Sequence, residues 1–425
     1  METFRPVRLV VGACLAFALL PLKLFMYLVQ ALGSGSPSEE DLMQSAPEPG
    51  NLPWFAINIG VALGRFVELL PNWINPPTIQ MLQLGALAHW KASTIKALAE
   101  LGVADLLARG PRSPQEMASS LGTPRSADAL FRLLRLSSSS GIFAVDGLMK
   151  GSDTRFKNNR MSILLRTDHP NSVRPMLMHL GNDSDLPWMK LAEGVKLGKL
   201  PFELAWGKDV WQYLKEHPER EHIFSQAMAV QDKVAYSTAL KEYDWTKYDE
   251  AIDIGGAYGS FVAALMRRHP GMQGTVFELP QVVNNAKSVW AEEHTDLAGR
   301  ISFAGGDFFD AQTLPRPANG STVYIMRSIL HDWDDSASIR ILQSLGAVMK
   351  GSRAKLVLVE QVLKDDFVND ISMRHGFDLH MLVACGGKER TELEWRNLLG
   401  RAGFHLNKIY PTKAMQSMLE AELVP

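Results

Sequence analysis

The 425-residue sequence predicts an α/β protein in two parts, a helical module followed by a mostly parallel sheet flanked by helices. Three observations carry this. From about Trp54 to Phe156, apolar residues recur at the three- and four-residue spacing of a helix face. From Tyr248 onward, short and nearly continuous apolar runs alternate with helical stretches, the pattern of a parallel sheet buried on both faces. The composition, 46% hydrophobic and 21% charged with a formal net charge of -2, is that of a globular chain. It excludes collagen-like, disordered and polytopic membrane proteins, and the near-neutral balance argues against a dedicated nucleic-acid binder. Cys14 and Cys385 make neither a disulfide framework nor a zinc site, and suit a reducing compartment.

Residues 1–50 read as a segment outside the catalytic fold. Residues 9–32 are almost all apolar and follow Arg5 and Arg8. The run is long enough for one membrane span of about 20 residues, but Pro21 and Lys23 lie in its middle, where charge is costly. Leu9 to Leu20 with its basic lead-in matches the apolar part of a targeting signal. A targeting leader or membrane anchor is expected, and an amphipathic helix lying on a surface is the blander alternative. The stretch from Gly33 to Pro53, rich in Gly, Ser, Pro and acidic residues, reads as a linker.

Residues 51–185 form the helical module. Phe55, Ile59, Leu63, Phe66 and Leu70 share one face, and Thr78 to Leu107 repeats the period. In SPQEMASSLG, Ser113 is an N-cap with Pro114 at the first helical position and Glu116 at the third. The following PRSADALFRLLRLSSSSGIF reads as a second helix, a turn and a short strand. Together these make a winged-helix outline. Residues 91–166 hold twelve Lys/Arg against six Asp/Glu, so DNA binding is conceivable. Leu130, Leu133, Leu134 and Leu136 nevertheless give the second helix a broad apolar face, which favours dimerisation and substrate covering.

Residues 186–425 form the second domain. The stretch from Asn182 to Tyr243, across the boundary, looks helical with breaks at Pro187, Pro201 and Pro218. Strands follow at EAIDIG, GTVFEL, RISFAGGDF, STVYIMRS and AKLVLVEQV. The first ends in Asp253-Ile254-Gly255-Gly256-Ala257-Tyr258-Gly259, and glycines at such a turn let a ligand approach the backbone at the carboxyl ends of the strands. The spacing is not that of a pyrophosphate site, and no P-loop is present. Glu278 closes the second strand, where an acid can accept from both hydroxyls of a ribose. Asp307 follows the third, where it can accept from an adenine amino group with Phe308 packed on the ring. Each acid alone could be a strand cap or a turn residue. At three successive strand ends they fit an adenosine without phosphates.

With AIDIGGAYGSF, FELPQVV, GGDFF, ILHDWDD and GGKERT in place, the sequence from about Pro76 to Tyr410 resembles the S-adenosylmethionine-dependent small-molecule O-methyltransferases. That family includes the plant caffeate and flavonoid enzymes and acetylserotonin methyltransferase. The resemblance implies a Rossmann-like domain binding S-adenosyl-L-methionine behind an N-terminal dimerisation domain, and hence a homodimer. It departs from the family at Glu278, where Asp is usual, and one extra methylene still reaches the ribose. It implies that His331, in HDW, is the general base for the acceptor hydroxyl. Glu360 and Glu389 match the two glutamates beside that histidine, and a carboxylate on one ring nitrogen fixes the tautomer. Arg327 stands where many relatives carry a Lys near the cofactor, with a surface salt bridge as the plainer reading. Phe224, Met228 and Met381 match the acceptor pocket, with Trp188 and Trp206 as further candidates and core packing as the alternative for all of them. No metal is expected, and Asp334 and Asp335 read as acids at a helix N-terminus.

Two methyl-transfer chemistries stay open. A hydroxyl acceptor needs the proton acceptor that the His331 set supplies. A thioether acceptor, as in the methylthiohydroxybutyrate S-methyltransferases of the same family, releases no proton. A third reading, of another class, is a winged-helix DNA-binding regulator with a degenerate cofactor domain, and the intact Asp253, Glu278 and Asp307 set counts against it. Because S-adenosylmethionine is found inside cells, the leader is expected to direct the chain to a mitochondrion or chloroplast or to anchor it.

Overall fold

A computed structural model describes residues 76–147, 151–293, 295–297, 299–318, 321–366 and 372–425. The apolar run 9–32, the linker 33–53 and the Phe55 to Leu70 face lie outside the described residues. No helix among the described residues is long and apolar enough to cross a membrane. The chain divides into two compact units. Of the described residues, one unit holds those from 76 to 181 with Ile223–Val230, and the other those of Asn182–His222 and 231–425.

In the N-terminal unit, helix α1 (Ala88–Glu100) precedes α2 (Pro114–Ser120) and α3 (Ala127–Ser139). The start of α2 follows from its sequence. Ser113 Oγ accepts from the Glu116 N–H, and the Glu116 carboxylate accepts from the Ser113 N–H at 2.7 Å, with Pro114 opening the helix. In α3, Leu130 and Leu134 are buried with Leu98, Met117, Phe143 and Phe156 in one core. Burying each such side chain contributes about 1.5–3 kcal/mol. The apolar face of α3 is thus consumed in packing. A small antiparallel hairpin follows, β1 (Ala144–Asp146) on β2 (Arg155–Lys157).

In the C-terminal unit, prolines that read as breaks in the sequence act mainly as helix starts. Pro201 opens the helix Pro201–Trp206, and Pro218 opens α4 (Pro218–Glu242). Pro187 lies inside the short helix Asp185–Met189. Then come β3 (Glu250–Ile254), α5 (Ser260–Arg268), β4 (Gln273–Glu278), α6 (Pro280–Glu293), β5 (Ile301–Gly305) and β6 (Thr322–Arg327). The chain continues through α7 (Asp335–Met349), β7 (Lys355–Leu363), α8 (Ser372–Ala384), β8 (Arg390–Thr391), α9 (Glu392–Arg401), β9 (Phe404–Pro411) and β10 (Gln416–Leu423).

The main sheet has the order β5-β4-β3-β6-β7-β10-β9, with β8 paired to the end of β7. Pairings from β5 to β7 are parallel, and β10 runs antiparallel to β7 and β9. Alternate residues of each parallel strand enter different cores. Tyr324, Met326, Leu356 and Leu358 join one, and Val323, Ile325, Val357 and Val359 the other. Burial on both faces at a period of two is why these strands read as continuous apolar runs. The strand order reverses direction at β3, so the carboxyl ends of β3 and β6 flank a switch point, where ligands bind in such sheets.

Candidate active site

The turn after β3 is shaped by its glycines. Gly255 has φ +72, and a Cβ there would lie 2.5 Å from Ile329 Cδ1, so backbone and the β6 loop meet where no side chain fits. Gly259, at φ +77, caps α5 and lets it close on Val276, 2.8 Å from where its Cβ would stand. Ala257, between them, is also left-handed, at φ +48.

Around this turn the acids differ in what they present. Asp253 is fully buried and forms an ion pair with Arg327 (Nη2 to Oδ2 3.4 Å, Nε to Oδ1 3.5 Å), whose guanidinium also lies over the Phe261 ring. The Arg327 salt bridge is therefore an interior one, and both side chains brace the turn from beneath. Glu278 Oε2 accepts from the Ala257 N–H at 3.3 Å and Oε1 from the Leu279 N–H at 2.9 Å. Each oxygen keeps acceptor capacity for a hydroxyl. Burial pushes the Glu278 carboxyl above its usual range, against these two backbone donors. Asp307 is exposed, with Oδ1 bonded to the Phe309 N–H at 2.9 Å in an aspartate turn. Beside it Phe308 and Phe309 meet Trp333 edge-on, at 6.0 and 5.0 Å between centroids.

The second cluster lies past the ends of β6 and β7. His331 is 7% exposed, and its Nδ1 stands 2.9 Å from Glu389 Oε1. Its Nε2 is 3.5 Å from Asp332 Oδ1. Glu360 Oε1 instead accepts two backbone N–H groups, from Ile329 at 3.0 Å and Leu330 at 2.9 Å. It holds the loop that delivers His331 and adds a nearby charge. Glu360 Oε2 and Glu389 Oε2 are buried without a hydrogen-bond partner among the described residues. Burial alone would pull the His331 imidazolium down, but Asp332, Glu389 and Glu360 outweigh it and hold its pKa up at about 10. Burial pushes Asp332 up to about 6 and Glu360 to about 7.

His331, Glu360 and Glu389 offer ligand atoms within 4.8 Å of one another, a spacing that could hold a metal ion. Within this set His331 Nδ1 and Glu389 Oε1 are each other's hydrogen-bond partners.

Residues that the sequence reading passed over frame the cluster. Arg390, fully buried, donates to the Leu330 and Trp333 carbonyls at 3.0 Å and to Asp335 Oδ1 at 2.9 Å. Lys388 N–H donates to the His331 carbonyl at 2.9 Å. At Gly387 a Cβ would stand 1.9 Å from that carbonyl oxygen. Asp378 accepts the Glu389 N–H, and Gln361 donates to the Glu389 carboxylate. Gly387, Lys388 and Arg390 lie in the GGKERT run, but no spacing in it says which loop they grip. Asp334 caps α7 through the Ala337 N–H, as its position suggested, while Asp335 in the first turn pairs with Arg390.

The acceptor candidates fall in both units. Phe224, edge-on to His179 at 5.2 Å, and Met228 belong to the N-terminal unit, and Met381 is half-buried on α8 in the other. Trp188 stacks on His380 and donates to its Nδ1 at 3.3 Å. Trp206 is tied to the Asp183 carbonyl and packs on Tyr213.

Residues 188–405 match the O-methyltransferase domain, and residues 85–168 match the O-methyltransferase dimerisation domain. The chain belongs to the O-methyltransferase family. A phenazine O-methyltransferase of Lysobacter antibioticus is 33% identical, covering 78% of this chain and 93% of that protein. An 8-amino-8-demethylriboflavin N,N-dimethyltransferase of Streptomyces davaonensis is 30% identical over 77% of this chain and 91% of its own. The crystal structure of human N-acetylserotonin methyltransferase with its methyl donor bound has a TM-score of 0.72 at 26% identity, covering 83% of this chain and 99% of that one. As an O-methyltransferase family member the protein is an enzyme that uses S-adenosylmethionine. The donor set fits that cofactor. The glycine turn and the Glu278 acceptors suit a ribose, and the Arg327 guanidinium is engaged by Asp253. Both matched regions belong to this enzyme family, and nothing points to the DNA-binding alternative.

Proposed function

We propose that the protein methylates a hydroxyl of a small aromatic acceptor, with His331 taking the proton. The carrying observation is the buried His331–Glu389 pair. A hydroxyl must lose its proton as the methyl arrives, and here an imidazole stands oriented by a carboxylate on its other nitrogen. The relatives named for phenazine, acetylserotonin and a demethylriboflavin support a planar ring system as the acceptor. The match to the O-methyltransferase domain favours a hydroxyl over an amine, and the proton-accepting site favours either over a thioether, which releases no proton.

In this reading the bound cofactor supplies an activated methyl on a sulfonium. Glu278 would accept the ribose hydroxyls, Asp307 and the Phe308 ring the adenine, and the Gly255 to Gly259 backbone would lie beside it. Asp253 and Arg327 support the turn from below. Glu360 holds the loop, and Glu389 orients His331. The chain orients and desolvates the reactants, which is most of what an in-line transfer needs.

The reading extends to the N-terminal unit. Its helices and hairpin form a winged helix used for dimerisation, and Met81, Leu84 and Trp90 are exposed large apolar side chains that a second copy would cover. Residues 9–32 act as an organellar targeting leader, supported by the basic lead-in. A fluorescent fusion found in the medium would refute that.

The test of the central reading is single-turnover methyl transfer to a panel of phenols, hydroxyindoles and methylthio acids. A phenolic product lost in His331→Ala is expected. Turnover of methylthio acids alone, indifferent to His331, would overturn the hydroxyl reading.

A further inference from the structure

Gln361 follows Glu360 on β7 and is 2% exposed. Its amide Nε2 donates to Glu389 Oε1 at 2.8 Å, the same oxygen that faces His331 Nδ1. Its Oε1 is buried with no hydrogen-bond partner among the described residues. A buried acceptor without a donor opposes folding, and an apolar side chain of similar size would not carry that cost. Stability therefore explains this glutamine poorly, and its one side-chain bond goes to the group that orients His331. A carboxylate oxygen receiving the amide N–H is an acceptor, so the histidine nitrogen facing it is the one that carries a hydrogen. The other nitrogen, Nε2, with the longer 3.5 Å contact to Asp332 Oδ1, is the one that exchanges the proton.

We propose that Gln361 is a positioning residue for methyl transfer, holding the Glu389 carboxylate in the orientation that sets the ring and tautomer of His331. The proposal rests on the reading of His331 and Glu389 as the proton-accepting pair. The titratable groups around that pair are Asp332, Glu360 on β7, Asp378 on α8 and Cys385 just after it.

The experiment compares full-length wild type with Gln361→Leu and, closer in shape, Gln361→Met. Melting temperature should be unchanged or higher, because the unpaired amide oxygen is gone. The kcat should fall about 10–100-fold, a part of the roughly 10²–10⁴ that a positioned base contributes, with KM for S-adenosylmethionine within about twofold. The ring titration of His331, followed by 15N NMR, should move to higher pH. Glu389 without its second donor holds the imidazolium proton harder. Gln361→Glu, which can donate only while protonated, should come closest to the wild-type rate at low pH and fall progressively below it as pH rises. A kcat within twofold of wild type in both apolar variants would overturn the proposal. So would a kcat loss that tracks a fall in melting temperature while the His331 titration stays put. His331→Ala in the same assay separates the two failures. If it keeps the rate, the proton-accepting pair is wrong. If it loses the rate and the Gln361 variants do not, only the role of Gln361 falls.

Discussion

At the residue scale, His331 and Glu278 carry separable functions. His331→Ala should lower the rate of methyl transfer to a hydroxyl by about 10²–10⁴, the contribution of a positioned base. Cofactor affinity should hold, because the adenosine contacts come from other strand ends. A loss below tenfold in single-turnover transfer would remove the base role. The surrounding acids keep a proton on His331 up to about pH 10. The neutral, accepting form therefore grows as pH rises, and the rate should climb from neutral pH toward 10. A flat profile would point to an acceptor that loses no proton. Glu278→Ala removes the acceptors at the end of β4 and should weaken S-adenosylmethionine binding by about 1–3 kcal/mol, the cost of leaving buried hydroxyls unpaired. Calorimetry on the folded variant measures this, and unchanged affinity would refute the ribose assignment.

At the scale of elements, the site is made where the segment between α8 and β8 folds over the loop between β6 and α7. Backbone meets backbone there. Gly387 has room for no Cβ against the His331 carbonyl and the Asp332 backbone, and Arg390 ties the carbonyls of Leu330 and Trp333 to Asp335. Gly387→Ala must push the His331 loop outward. It should cost at least the roughly 1–3 kcal/mol of ordinary overpacking and lower kcat with it. Thermal melting and kcat measured together test this, and a variant as active and stable as wild type would show that the two segments do not press on each other. The same contact explains a limit of sequence reading. HDW and GGKERT were legible as motifs, but His331 and Glu389 are 58 residues apart, and only the crossing of the two segments makes them partners.

At the scale of the whole molecule, the buried acid–imidazole cluster should make stability depend on pH. The folded state raises His331 to about 10, Asp332 to about 6 and Glu360 to about 7. A raised pKa means the folded chain binds that proton more tightly than the unfolded chain does. Each contribution is complete below the unfolded value and is lost as pH rises through the folded one. Melting temperature should therefore fall between about pH 5 and pH 10, in the window of these pKa values. A melting temperature that rises over that range would contradict the cluster's charge state. Light scattering of the full chain should give about twice 47.1 kDa, the mass of a two-fold dimer. A monomer at micromolar concentration would refute the dimer.

The sequence by itself determined the parallel strands, the glycine turn and the acids at successive strand ends, because these are local. A strand buried on both faces must be apolar throughout, and a left-handed turn residue with no space for a Cβ must be glycine. The cap at Ser113 was legible for the same reason, its partners being three residues apart. Only the tertiary structure decided what depends on distant segments meeting. β9 went unread because it is an edge strand whose mixture of buried and exposed positions weakens its apolar signal, and β10 because Gln416, Ser417, Glu420 and Glu422 interrupt its apolar run although most of the strand is buried. Asp253 was legible as a strand-end acid, but its pairing with Arg327 joins residues 74 apart. Glu360 was legible as a match, yet its oxygen bonds the backbone ahead of His331 and not the ring. Gln361 and Arg390 were ordinary polar letters until burial left their donors nowhere to go except the loop and the carboxylate that shape the site. Hydrogen bonds have direction and reach of about 3 Å, and nothing in one-dimensional spacing encodes that across a sheet.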